Sequence, residues 1–125
     1  MAALTGCSDG AVASTTVPCP PGPFRHSPPL VIAHAGGEGL GPANSVLAMQ
    51  RSLAAGADVL DADLWMTADG VVVAHHDRDI AGDTDGSGNI DELTWQELQR
   101  ADLRAGWSGD TIDQPVRVAS LEQIL

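Results

Sequence analysis

The segment Val59-Leu60-Asp61-Ala62-Asp63-Leu64-Trp65 constrains the fold of this chain more than any other. It reads as a strand of apolar residues carrying two carboxylates, and in a strand the side chains at i and i+2 project from one face. Two carboxylates side by side repel each other unless protons or a cation lie between them. The apolar flanks predict a buried strand, where unpaired charge is costly. Asp61 and Asp63 are therefore candidate metal ligands, and their hard oxygens favour Mg2+ or Ca2+. A solvated acidic face is the alternative.

The charge balance points the same way. Six Lys+Arg against 17 Asp+Glu give a net charge of −11, and the basic residues are all Arg. Phosphate backbones and anionic lipid surfaces would repel such a chain, so no nucleic-acid partner is expected. The acids crowd between Asp58 and Glu92, where Arg78 is the only base. With 43% hydrophobic residues but only 3% aromatic, a core must be built from Ala, Val, Leu and Ile around Trp65, Trp95 and Trp107.

Residues 1–29 are rich in small residues and proline without hydrophobic period, and read as a disordered tail with a Pro-rich tether. The start, Leu4-Thr5-Gly6-Cys7-Ser8, resembles a bacterial lipobox, although the apolar segment that should precede it is missing. A lipid on Cys7 would tether the protein to a membrane outside the cytoplasm; a chance match would leave it cytoplasmic. No stretch reaches the ~18 apolar residues of a membrane span. A bridge between Cys7 and Cys19 would tie the tail only to itself.

Residues 30–125 carry the fold. Leu30-Val31-Ile32-Ala33-His34 reads as a buried strand ending at Gly36-Gly37. A helix is predicted from Asn44 or Ser45 as N-cap to a stop at Gly56. Asp69-Gly70 turns the Val59–Trp65 strand into an extended run, Val71-Val72-Val73-Ala74. Thr94 and Glu97 form a capping box for a helix reaching about Leu103, and Ser120 caps another with Leu121, Ile124 and Leu125 on one face. Strand, helix, strand, helix with short links predicts α/β with parallel strands.

His34 and His76 each end an apolar run, and in parallel α/β folds the C-terminal ends of strands form the site. Two imidazoles flanking a metal-bound phosphodiester can act as general base and general acid. Alone, a histidine in such a place is more often a hydrogen-bonded structural residue; combined with the Asp pair the two mark a site. His75, on the other side of an extended run, is assigned no chemistry.

These pieces, in this order, resemble the glycerophosphodiester phosphodiesterase family, within the phosphatidylinositol phospholipase C-like superfamily. The resemblance runs from Val31 to the C-terminus through Ile32-Ala33-His34-Ala35-Gly36-Gly37, Gly41-Pro42-Ala43-Asn44-Ser45, Asp61-Ala62-Asp63, Val72-Val73-Ala74-His75-His76-Asp77, Thr84-Asp85-Gly86-Ser87-Gly88, Leu93-Thr94-Trp95-Gln96-Glu97-Leu98 and Val118-Ala119-Ser120-Leu121-Glu122-Gln123-Ile124-Leu125. It implies a TIM-type (β/α)8 barrel, of which this chain is the N-terminal part, truncated, since such barrels need roughly 200 residues or more. It implies His34 and His76 as the catalytic pair, Asp61 and Asp63 as metal ligands, and hydrolysis of glycerophosphodiesters to glycerol 3-phosphate and an alcohol. The family's third metal ligand, a Glu on the next strand, is not in this sequence, so the chain by itself is expected to be inactive. The family's Arg after the first His is Ala35 here, its Glu before Asn is Ala43, and a later Arg is Gly82. Losing a bidentate phosphate partner weakens binding and transition-state neutralisation by about 2–4 kcal/mol. The substrate-binding residues and oligomeric state stay unassigned.

Two other readings compete. A phospholipase C- or D-like enzyme acting on intact lipid would share the fold and motifs. Asp83-Thr84-Asp85-Gly86-Ser87-Gly88-Asn89-Ile90-Asp91 matches the first nine positions of an EF-hand calcium loop, but Thr94 stands where its bidentate Glu should be.

Overall fold

In the computed structural model the described residues are 29–125. The lipobox-like start, Cys7, Cys19 and most of the Pro-rich tether lie outside them. Val31–Leu125 forms one compact unit.

The segment around the Asp pair is not one strand. Val59–Leu60 (β2) pairs in parallel with Ile32–Ala33 (β1), in the register Ile32 to Val59 and Ala33 to Leu60. Asp61 continues that ladder: its N–H donates to the Ala33 carbonyl at 3.0 Å and its carbonyl accepts from Gly36 N–H at 2.7 Å. Two residues later the chain has changed partners. The Asp63 carbonyl accepts from His75 N–H at 3.0 Å, and Leu64–Met66 (β3) pairs antiparallel with Val72–Ala74 (β4). β4 in turn pairs antiparallel with Ala119–Ser120 (β5). The expected Val59–Trp65 strand is thus split at Asp61–Asp63, where one partner's ladder gives way to the other's. The expectation of parallel strands holds for β1 and β2 only.

The split also changes the burial. Asp61 is exposed and Asp63 half-buried, so the carboxylates do not sit in a buried strand. The first strand is equally less buried than its composition predicts, with Val31 58% and Ile32 53% exposed. A two-stranded parallel sheet needs covering on both faces, and here the cover comes from α1 (Val46–Ala54). That helix starts where the sequence predicts: Ser45 Oγ accepts from Ala48 N–H at 3.1 Å. The turn after β1 packs so closely on α1 that Gly37, at φ +104°, has no room for a Cβ, because Ser52 Oγ occupies its place. Ser52 Oγ donates to the Gly36 carbonyl at 2.9 Å and locks the contact.

The main core lies on the antiparallel side. Val73, Ile80, Ile90, Leu98, Ala101, Leu103, Val116 and Val118 form one buried cluster, with Trp65 and Trp95 packed against it. Fully burying a side chain such as Leu98 contributes about 1.5–3 kcal/mol. Its carrier, α2 (Trp95–Leu98), has the predicted Thr94–Glu97 capping box but runs for only four residues. The expected extension to Leu103 fails because the chain leaves the helix to pair elsewhere: Leu103 N–H donates to the Val116 carbonyl at 2.8 Å. There Asp102 organises a long loop. Its carboxylate accepts from Arg104 and from Val116 N–H, and the hydrogen bonds from the guanidinium hold its pKa down at about 2. Arg104 reaches on to the carbonyls of Ile112 and Asp113. The last helix, α3 (Leu121–Ile124), has the predicted Ser120 cap, closed into a capping box by Gln123.

Candidate active site

His34 follows β1 directly and opens a tight turn in which Ala35 adopts φ +47°. Asn44 is the other non-glycine residue with positive φ, at +56°. The two are joined, since Asn44 N–H donates to the Ala35 carbonyl at 2.7 Å. Left-handed backbone at non-glycine residues costs on the order of 1–2 kcal/mol and survives where the surroundings over-determine it. Here it aims two side chains at the Asp pair. His34 Nδ1 lies 3.2 Å from Asp61 Oδ2. Asn44 Nδ2 donates to Asp63 Oδ2 at 3.1 Å, while Asn44 Oδ1 accepts from Asp63 N–H at 3.1 Å. Asn44 is 1% exposed, so this reciprocal pair is a fixed mount for one carboxylate.

His76 comes from the segment leaving β4. Its Nδ1 lies 2.8 Å from Asp77 Oδ1. That hydrogen bond, followed by the charge of Asp77 and then of Asp63 and Asp83, raises the pKa of the imidazole. The hydrogen bond from His75 N–H to the Asp63 carbonyl, 3.0 Å, ties the β4 end to the Asp pair. Both imidazoles are open to solvent, with side chains 69% and 68% exposed. Each is oriented by a carboxylate through Nδ1, which leaves Nε2 of both rings free of protein partners among the described residues.

Asp61 and Asp63 each spend one oxygen on a neighbour and keep Oδ1 clear of protein donors. As hard oxygen ligands they fit Mg2+ or Ca2+, and Mg2+ in particular is often held by one or two carboxylates, with water and substrate phosphate completing the shell. Among the described residues no group of three or more His, Cys, Asp or Glu is arranged to hold a metal. The EF-hand reading does worse. Asp85 Oδ1 accepts from Asp102 N–H at 2.7 Å, Asp91 is bound by Arg78 through both oxygens at 2.8 and 3.0 Å, and Thr84 is buried with its hydroxyl on the Ile80 carbonyl. Two of the loop's ligand positions, Asp85 and Asp91, are thus committed to other partners, and Thr84, between the first two ligand positions, packs inward.

Sequence reasoning missed the supporting residues. Asn44 was legible as a cap candidate and motif member, yet its role is to carry Asp63; Ser45 is the cap. Asp77 follows His76 directly, and nothing in its neighbours shows that its carboxylate turns back on that ring. His75 lies opposite His76 as an extended run predicts, and it is buried, 2% exposed. Ala35, Ala43 and Gly82 stand where the resemblance places charged residues, and nothing in the structure supplies a substitute for them.

Comparisons with known proteins place this α/β fold in one family. The glycerophosphoryl diester phosphodiesterase family matches residues 34–125, and the chain belongs to that family. A glycerophosphodiester phosphodiesterase of Bacillus altitudinis is 30% identical over 95 residues, 76% of this chain and 38% of that protein. Among solved structures, the glycerophosphoryl diester phosphodiesterase domain of the uncharacterized protein Rv2277c from Mycobacterium tuberculosis superposes with a TM-score of 0.71 at 29% identity, over 77% of this chain and 38% of that one. An Oleispira antarctica phosphodiesterase in complex with the product sn-glycerol-3-phosphate gives a TM-score of 0.67 at 26% identity, over 77% and 38%. The fold class is thus the α/β class expected, the N-terminal part of a TIM-type barrel. The chain spans 38% of the length of the Bacillus relatives it matches.

Proposed function

We propose that this chain carries the acid–base part of a site that hydrolyses glycerophosphodiesters to glycerol 3-phosphate and an alcohol. One observation carries the reading: two solvent-facing imidazoles are each held through Nδ1 by a carboxylate, His34 by Asp61 and His76 by Asp77, and Asn44 fixes the neighbouring Asp63 carboxylate. Displacement at phosphorus needs one group to take a proton from the nucleophile and another to give one to the leaving alkoxide. His76, whose partner Asp77 favours the protonated ring, supplies the acid. His34, with Asp61 accepting from Nδ1–H, supplies the base at Nε2. Asp61 and Asp63 would hold a Mg2+ or Ca2+ ion, which when bound offsets the charge on the phosphate. Asn44 keeps Asp63 in place.

The ligand in the Oleispira antarctica structure, sn-glycerol-3-phosphate, supports a substrate of this class. The test is release of glycerol 3-phosphate from glycerophosphocholine by the protein as its host makes it. His34→Ala and His76→Ala should each lower kcat by about 10²–10⁴-fold. Turnover unchanged in either variant, or turnover of phosphatidylcholine vesicles only, defeats the reading. The lipobox-like Leu4–Ser8 stretch supports an extracytoplasmic, lipid-anchored location. Metabolic labelling with palmitate that is unaltered in Cys7→Ala defeats that proposal.

A further inference from the structure

We propose that His75 is a positioning residue for His76, holding the backbone that carries the His76–Asp77 pair. The proposal rests on the site reading above. Past β4 the ladder continues for one bond, from His75 N–H to the Asp63 carbonyl at 3.0 Å, and His76 and Asp77 lie outside any strand. Two aromatic N–H groups take over. Trp65 Nε1 donates to the His76 carbonyl at 3.1 Å, and His75 Nδ1 lies 2.8 Å from the Asp77 carbonyl. A carbonyl oxygen only accepts, so Nδ1 of His75 carries the proton. Consecutive carbonyls are thereby pinned, and Asp77 Oδ1 is held at 2.8 Å from His76 Nδ1.

The burial of His75 argues that this role is specific. It is 2% exposed, yet Nε2 has no hydrogen-bond partner, and the nearest charged oxygen, Asp83 Oδ2, is 3.8 Å away. His75 lines a cavity of about 30 Å3 together with Asn44, His76, Asp83 and Gly106. Leaving a buried ring nitrogen unpaired costs stability that a phenyl ring of similar size would not. A group that only filled space would be apolar here. The contact made by Nδ1 is what a phenyl ring cannot supply.

Three substitutions separate orientation from packing. Asn places its amide where Nδ1 stands, Gln places it nearer Nε2, and Phe keeps the volume without a donor. Orienting partners of a functional imidazole are worth about 10–100-fold. For glycerophosphocholine hydrolysis by the protein as its host makes it, His75→Phe and His75→Gln should lower kcat about tenfold with KM within about twofold, and His75→Asn should restore most of kcat. In long-range 1H–15N spectra the His76 ring should keep its wild-type Nδ1 signature in His75→Asn and move toward that of a free imidazole in His75→Phe. Wild-type kcat in His75→Phe, equal losses in Asn and Phe, or an unchanged His76 spectrum in His75→Phe overturns the proposal. If His75→Phe does not fold, the Asn and Gln variants decide it, and Gln matching or exceeding Asn overturns it. A wild-type protein that releases no glycerol 3-phosphate defeats the functional reading instead, and the spectra still judge His75.

Discussion

The β1–α1–β2 side and the β3–β4–β5 side each contribute a histidine to one site, but they are built differently. On the first, Val31, Ile32 and Leu53 are more than half exposed. On the second, Val73, Ile90, Leu98 and Val118 are at most 1% exposed. Antiparallel pairing joins β3 to β4 through the Asp69-Gly70 turn, and β5 joins them from the far end of the chain, so that side closes a core over three strands. The parallel pair has two strands and asks for cover on both faces. The buried core is therefore concentrated on one side, while Asp61 and the strained turn are on the other and Asp63 stands where the two ladders meet.

The largest expected effect tests that contrast directly. Leu98→Ala should cost about 2–5 kcal/mol in urea denaturation, whereas Leu53→Ala, on the outer side of α1, should cost under about 1 kcal/mol. Equal costs would show that the first side carries its own core. Asp102→Asn should come next, at about 1–3 kcal/mol, because it removes the charge that Arg104 and the Val116 N–H both bind. Its pKa is about 2 in the folded protein, below the ordinary 3.8, so its contribution is present above pH ~4 and lost as pH falls toward 2. A stability profile flat from pH 4 to pH 2 in the wild type, matching that of Asp102→Asn, would contradict this. The smallest effect concerns His76. Its raised pKa means that the Asp77 pairing stabilises the fold at low pH and fades as pH rises through the folded value. Asp77→Asn should bring the His76 titration back down in NMR, and an unmoved titration would assign the shift to other groups.

Much of the site was legible because its signals are local. A cap such as Ser45, Thr94 or Ser120 is decided within three residues, and all three cap as read. His34 and His76 stand at the ends of their apolar runs, a position visible in residue type alone. What could not be read is long-range. Arg51 binds Asp110 through both guanidinium nitrogens across 59 residues of chain, and Asn44 mounts Asp63 across 19. The single strand read at Val59–Trp65 failed for the same reason: alternation predicts a strand, but not which partner it follows.

By itself, then, the sequence pointed to the family and the caps and made His34, His76, Asp61 and Asp63 the candidates, since each depends on residue type in a short spacing. The tertiary structure alone decided that the strand breaks between two ladders, that the Asp pair lies open to solvent, and that His75 is buried behind His76. Those outcomes depend on which distant backbone groups satisfy one another's hydrogen bonds, and a linear pattern does not contain that choice.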